Sequence, residues 1–178
     1  MNFKRIFVAI NLSEKIKEKI WEEQEEIKAV FPEKTVKWVK KENLHITLAF
    51  FGNTSEQRLK EIEEILKKIR QDSFELKGGE ICYGPKNNPL PRLIWIELEK
   101  SLPLLNIAKE LANQKFFPHI TLGRINTWQW RKIEPEERPI IEKSIDLKFR
   151  VNSIDIMESI LRRSGPEYRI LNKYNLKI

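Results

Sequence analysis

A compact domain mixing strands and helices, built from two copies of a strand–helix–strand unit, is what this sequence of 178 residues predicts. The tetrapeptide His-Ile-Thr-Leu occurs at positions 45–48 and again at 119–122, and it contains the only 2 histidines of the chain. Each copy ends a similar series: Arg5-Ile6-Phe7-Val8-Ala9-Ile10, a helical pattern, then HITLAF is matched by Arg92-Leu93-Ile94-Trp95-Ile96-Glu97, a helical pattern, then HITLGR. The chain is 40% hydrophobic and 33% charged, enough apolar matter for one domain spanning 1–178 with two pseudo-symmetric lobes. Duplicated units commonly pack about a pseudo-two-fold axis, which would bring the distant histidines to one cleft.

The elements follow in order. RIFVAINL, Arg5 to Leu12, is a nearly continuous apolar run, as expected of a strand covered on both faces. Ser13 is a good N-cap, and Ile16, Ile20, Ile27 and Val30 recur on one helical face until Pro32 stops the helix. Val36 to Val39 reads as a short strand and Leu44 to Phe51 as another, with Gly52-Asn53 turning the chain. Thr54 with Gln57 makes a capping-box pattern ahead of a helix carrying Leu59, Ile62, Leu66 and Ile69. Strand character at Ser73 to Tyr83, a Pro/Gly/Asn loop from Gly84 to Pro91 and a strand at Leu93 to Leu98 come next. A third helix is expected over Leu102 to Ala112, then a strand from His119 to Ile125 after Pro118. Asn126 to Ile145, with Trp128 and Trp130, reads as an irregular insert with one helical turn. Lys148 to Ile160 and Tyr168 to Lys177 read as a closing hairpin turned by Ser164-Gly165-Pro166.

Charge and cysteine content narrow the classes of function. The chain has 33 Lys+Arg against 26 Asp+Glu, a net +7, which permits a polyanionic partner without demanding one. The single cysteine, Cys82, has no internal partner and reads as a small strand hydrophobe, so a reducing cytoplasm is the expected location. There is no cysteine–histidine cluster with zinc spacing, and the apolar run from Ile6 to Ile10 is too short for a signal-peptide core or a membrane span.

Histidine titrates near neutrality, so a pair in equivalent settings can supply one proton donor and one acceptor at the same pH. In a strand His45 and Thr47 project from one face while Ile46 and Leu48 enter the core, and the same holds for His119 and Thr121. Two imidazoles and two hydroxyls suit a phosphate diester, with attack on one side and departure on the other. A lone strand histidine is more often structural, and threonine is simply a favoured strand residue; the repeated context favours the functional reading of all four.

The paired His-x-Thr-x tetrapeptides resemble the 2H phosphoesterase superfamily, and within it the chain is most similar to the RNA 2′,3′-cyclic phosphodiesterases, also called 2′-5′ RNA ligases. The resemblance covers nearly the whole chain: RIFVAINL, WVKKENLHITLAFFG, PRLIWIEL, FPHITLGRI and IDIMESILRRSGPEYRILNKYNL. It implies an α+β bilobal fold with two antiparallel sheets lining a central cleft and helices outside. It also implies opening of a terminal ribose 2′,3′-cyclic phosphate to a 2′-phosphate with no metal or nucleotide cofactor, and reversible 2′-5′ joining in some members. By position, His45 would be the proton donor and His119 the acceptor. The partners implied are RNA ends or nucleotides bearing the cyclic phosphate, with no membrane and no obligate protein partner, the chain acting as a monomer.

The same pattern makes Phe50, five residues after His45, a base-stacking platform, and Arg124, five after His119, a phosphate contact. An offset of five puts each on the face opposite its histidine in a regular strand, so a bulge or strand end is required. Core packing is the competing reading of Phe50. The lead into the second motif, Ala112 to Pro118, is shorter than in many members and lacks their arginines. Trp128 and Trp130, beside Arg131 and Lys132, could stack RNA but read better as anchors of the insert. Arg162, Arg163, Arg169, Lys173 and Lys177 read as a solvated surface with an RNA-binding share open. The alternative function is a nucleotide- or RNA-binding module that uses the same cleft without turnover.

Overall fold

A computed structural model describes residues 3–86, 88, 90–112 and 116–177 of the chain. The described strands form two antiparallel sheets. One has the order β3-β1-β8-β9, made of Lys4–Asn11 (β1), His45–Thr54 (β3), Ser153–Arg162 (β8) and Gly165–Asn175 (β9). The other has the order β2-β6-β5-β4-β7, made of Val36–Trp38 (β2), Phe74–Gly84 (β4), Leu93–Leu98 (β5), His119–Ile125 (β6) and Lys143–Val151 (β7). Glu14–Lys28 (α1), Glu56–Lys68 (α2) and Leu102–Leu111 (α3) are the long helices, and Thr127–Trp130 (α4) is one turn. The α+β class and the two antiparallel sheets agree with the expectation.

The duplicated unit is visible in the pairing. β1–α1–β3 and β5–α3–β6 are each a pair of neighbouring antiparallel strands joined through a helix, and β3-β1-β8-β9 matches β6-β5-β4-β7 strand for strand. β2 is the addition, lying at the outer edge of β6. The equivalence is one residue away from the alignment of Arg5 with Arg92. Asn11 pairs with His45 and Glu97 with His119, so Phe7 corresponds to Leu93. Apolar runs buried on both faces have no alternation to set their phase, and hydrogen-bonded register decides it.

β1 and β5 are central strands, and this explains their composition. Ile6, Val8 and Ile10 enter one continuous core with Ile46, Leu48, Ile94, Ile96, Ile120 and Leu122. Phe7 and Ala9, on the other face of β1, meet Met157 and Tyr168 in a small second cluster. Along α1 the buried face includes polar groups with a purpose: Gln24 Nε2 donates to the Val39 carbonyl at 2.9 Å and Lys17 Nζ to that of Glu42 at 3.1 Å. The helix thereby ties down the segment leading into the first motif.

Several boundaries differ from the sequence reading. Lys148 to Ile160 is not one strand: β7 ends at Val151 in one sheet and β8 starts at Ser153 in the other. No glycine or proline marks that crossing, so the apolar pattern runs through it unbroken. The insert is accordingly shorter, ending where β7 begins at Lys143. Gly52-Asn53 does not turn the chain; both residues continue β3 opposite Ile6 and Arg5, with Gly52 at φ +67°. Thr54 therefore belongs to the strand, its hydroxyl donating to the Gly52 carbonyl at 3.0 Å, and Ser55 caps α2 by accepting from Arg58 N at 3.3 Å. α1 stops at Lys28, before Pro32, which leaves Val30 exposed instead of on the apolar face.

In the insert the two tryptophans part company. Trp130 is buried against Tyr83, at 5.3 Å between ring centroids, and Phe31, and anchors the segment as expected. Trp128 is exposed, with the Lys132 ammonium 3.3 Å from its ring centroid. Residues 113–115 of the lead into the second motif, and 87 and 89 of the loop after β4, lie outside the described residues. No described helix is long and apolar enough to cross a membrane.

Candidate active site

β3 and β6 carry the two motifs with the same sequence of environments: half-buried, buried, half-buried, buried, buried, exposed, from His45 to Phe50 and from His119 to Arg124. Each strand holds a one-residue bulge at the same place. Val8 pairs with Ala49 and Ala9 with Thr47, leaving Leu48 unopposed; Ile94 pairs with Gly123 and Trp95 with Thr121, leaving Leu122 unopposed. An unopposed residue shifts the face alternation by one. Phe50 and Arg124 are thereby returned to the face of their histidines, which resolves the parity conflict posed by the offset of five.

A cavity of about 520 Å³ opens between the sheets, walled by His45, Thr47 and Phe50 from one and Thr121 and Arg124 from the other. His119 is not among the side chains that wall it. Its imidazole lies tilted against the Trp95 ring at 4.4 Å between centroids, and it and His45 are near enough for the charge of one to bear on the other. Phe50 is 56% exposed with the Arg5 guanidinium 5.0 Å from its ring centroid, so core packing is not its environment. Among the described residues the charged side chains of the wall are Arg5, Lys37, Lys40 and Arg124, with no carboxylate among them.

The hydrogen bonds fix the state of both rings. His45 Nδ1 lies 2.7 Å from the Asn43 carbonyl and His119 Nδ1 lies 2.7 Å from that of Phe117. A carbonyl only accepts, so Nδ1 carries the proton in each neutral ring and Nε2 keeps its lone pair. Thr47 Oγ1 then donates to His45 Nε2 at 2.9 Å. Burial, opposed by the Asn43 carbonyl and reinforced by the charges of Arg124 and His119, lowers the His45 pKa from 6.5 to about 4. Burial and Arg124 lower that of His119 as well, against the Phe117 carbonyl. Both imidazoles are therefore neutral at pH 7, each with a basic Nε2.

Aromatic rings hold the histidines in orientation. Phe7 lies 5.2 Å from the His45 ring and Tyr168, on β9, meets it edge-on at 5.3 Å, while Trp95 supports His119 and donates its indole N–H to Cys82 Sγ at 3.2 Å. Asn11, opposite His45, donates Nδ2 to the fully buried Asp155 Oδ2 at 2.7 Å. Sequence reasoning missed Phe7, Tyr168, Arg5 and Lys37 as cleft residues. Lys37 carried a usable signal, since it alternates with apolar Val36 and Trp38. Tyr168 carried none, because β9 reaches the cleft only through its pairing with β8. Of the basic residues near the closing hairpin, all five are exposed and none walls the cavity; Arg162 pairs with Glu167 at 3.1 Å.

Comparisons with known proteins bear on the family and the overall fold. The family model of the LigT-like phosphoesterases matches residues 10–95. The chain is 34% identical to an RNA 2′,3′-cyclic phosphodiesterase of Thermotoga maritima, over 94% of this chain and 92% of the relative. The chain belongs to the LigT-like phosphoesterase family, within the 2H phosphoesterases. An RNA 2′,3′-cyclic phosphodiesterase of Methanocaldococcus jannaschii is 33% identical to this LigT-like phosphoesterase, over 96% of this chain and 99% of the relative. The solved structure of Escherichia coli LigT complexed with phosphate superimposes with a TM-score of 0.81 at 25% identity, covering 100% of both chains. The same protein complexed with ATP gives 0.81 at 25% identity, covering 99% of this LigT-like phosphoesterase and 100% of that chain.

Proposed function

We propose that this chain is an RNA 2′,3′-cyclic phosphodiesterase that opens a terminal cyclic phosphate to a 2′-phosphate through an acid–base pair, His45 and His119, acting as a monomer in the cytoplasm. The observation that carries the reading is the matched bulge of β3 and β6, which aims His45, Thr47 and Phe50 and their counterparts Thr121 and Arg124 at one cavity. Relatives named for that activity over nearly the full chain supply the substrate class, and the phosphate held by Escherichia coli LigT fits an anion site.

In this reading His119 Nε2 takes a proton from water as the water oxygen bonds to phosphorus. The P–O3′ bond breaks, and the departing 3′ oxygen takes a proton from His45 Nε2, leaving a 2′-phosphomonoester and a free 3′ hydroxyl. Each such transfer is worth about 10²–10⁴-fold. Thr47 and Thr121 hydroxyls donate to the non-bridging oxygens, Arg124 holds the phosphate in its guanidinium fork, and Phe50 stacks the base at about 1–3 kcal/mol. His45 needs its Nε2 proton before the leaving step. The negative charge of the bound diester offsets Arg124 and restores that proton, and Thr47 then turns its hydroxyl from Nε2 to the phosphate. No metal or nucleotide cofactor is assigned a step, and the reverse reaction, 2′-5′ joining, uses the same groups.

The test is hydrolysis of a nucleoside 2′,3′-cyclic phosphate in excess chelator. The expected product is the 2′-phosphate, and His45→Ala or His119→Ala lowers kcat by about 10²–10⁴-fold. Activity that survives both substitutions, or a 3′-phosphate product, overturns the assignment. Tight nucleotide binding without cleavage would favour the binding-module alternative.

A further inference from the structure

Lys37 and Arg124 are directly paired across β2 and β6, so their side chains stand on one face, and both wall the cavity. Like charges directly opposite in a sheet repel. No carboxylate relieves them: neither residue takes part in an ion pair among the described residues, and the cavity wall contains no Asp or Glu. Two unneutralised cations kept side by side make sense where anions come to lie between or beside them. Among the described residues β2, the strand that brings Lys37 there, has no counterpart in the other sheet, and Phe50, the equivalent of Arg124, has no outer strand beside it.

The number of charges decides what the anion is. A nucleoside 2′,3′-cyclic phosphate carries one negative charge, and Arg124 already answers it. Arg5 lies over Phe50, which leaves Lys37, with Lys40 further along the same segment, as surplus. Each additional nucleotide of an RNA strand adds one phosphodiester charge. Opposed residues have Cβ atoms about 4.5–5.5 Å apart, so a lysine and an arginine there can reach neighbouring phosphates of one strand. β2 is also the edge of its sheet, the side on which a longer chain can leave the cleft.

We propose that Lys37, assisted by Lys40, is a second phosphate subsite that binds the phosphodiester joining the terminal nucleotide to the one before it, so that the preferred substrate is an RNA strand of at least two nucleotides rather than a mononucleotide. This rests on the cyclic phosphodiesterase reading of the same cleft. An ammonium on a flexible stem is suited to such a subsite, because it meets the phosphate as a point charge and leaves the fork geometry to Arg124. Phosphate contacts of this kind carry no base information, so the subsite reads strand length and not sequence.

The test compares kcat/KM on a mononucleoside 2′,3′-cyclic phosphate with that on a dinucleotide ending in the same group, for the wild type, Lys37→Gln and Lys37→Arg. The wild type should prefer the dinucleotide. Lys37→Gln should cut the dinucleotide value roughly tenfold more than the mononucleotide value, with Lys37→Arg retaining most of the preference. The salt dependence on the dinucleotide should flatten by about 0.7 in the log–log slope. An equal fall on both substrates, or no change on either, overturns the subsite. Calorimetric binding of the two 2′-phosphate products reads the same contrast without turnover. An absence of hydrolysis from every form would strike at the cyclic phosphodiesterase reading, while a lysine-dependent preference in the binding data would still stand for the subsite.

Discussion

Phe50 and Arg124 occupy the same position in the two halves of the molecule: each stands just past a one-residue bulge, at Leu48 and Leu122, and opposite Phe7 and Leu93 respectively. The repeat thus offers one scaffold with two different side chains at its working position, an aromatic ring on one side of the cavity and a guanidinium on the other. In the proposed function the ring stacks the base of a nucleotide and the guanidinium holds its phosphate.

Separate substitution should divide these roles. Phe50→Ala is expected to raise KM by an amount equivalent to about 1–3 kcal/mol on base-bearing substrates. Arg124→Lys keeps the charge but loses the fork and should lower kcat/KM on every substrate regardless of base. Steady-state kinetics on purine and pyrimidine 2′,3′-cyclic phosphates and on an abasic ribose analogue checks this. A base-dependent Arg124 effect would reverse the assignment.

The pH dependence follows from burial and Arg124 holding both imidazole pKa values below 6.5 in the free chain. The proposed acid–base pair needs one ring charged and the other neutral, so kcat/KM, which reports the free protein, should peak below pH 6.5. The bound diester anion favours the imidazolium and should move the kcat optimum to higher pH. Arg124→Met removes a cation that lowers both values, and should shift the kcat/KM peak upward. Coincident kcat and kcat/KM profiles in the wild type would mean that the phosphate does not lie beside the rings.

Stability should respond to acid through the same residue. The unfolded chain takes up a proton at the ordinary 6.5, whereas folded His45 resists until about 4. Above pH 6.5 neither state binds the proton and His45 contributes nothing; between 6.5 and 4 the unfolded state is favoured, and below 4 the loss levels off. At about 1.36 kcal/mol per unit, reduced for the partial access of solvent to the ring, the loss is about 2–3 kcal/mol. Urea unfolding at about pH 7 and about pH 4 should show this excess in the wild type over His45→Gln. Parallel losses in the two proteins would sink the linkage.

Gly84 supports the second histidine from a distance. A Cβ built there would lie 2.4 Å from Trp95 Cε2 and 2.5 Å from its Cδ2 and Cζ2, and that indole carries His119 at 4.4 Å. Gly84→Ala should push the indole toward the imidazole, costing about 1–3 kcal/mol in stability and lowering kcat more than KM. Thermal unfolding, tryptophan fluorescence and kinetics together check it; a destabilised variant with unchanged kcat would show that the Trp95 contact does not orient His119.

Local pattern was enough to determine much of this protein. Doubly buried strands at β1 and β5, the apolar faces of α1 and α2, the existence of α3 and the duplicated His-Ile-Thr-Leu could all be read from residues close together in the chain, while the need for a bulge or strand end before Phe50 and Arg124 followed from the roles that the family resemblance implies. What depends on pairing between distant segments could not. The phase of the repeat, the division of Lys148 to Ile160 between two sheets, the start of α2 at Ser55 and the arrival of Lys37 and Tyr168 at the cleft were decided by tertiary structure. The reason is physical: an apolar alternation specifies which face is buried, but only the partner strand, through hydrogen-bond register, specifies what that face is buried against.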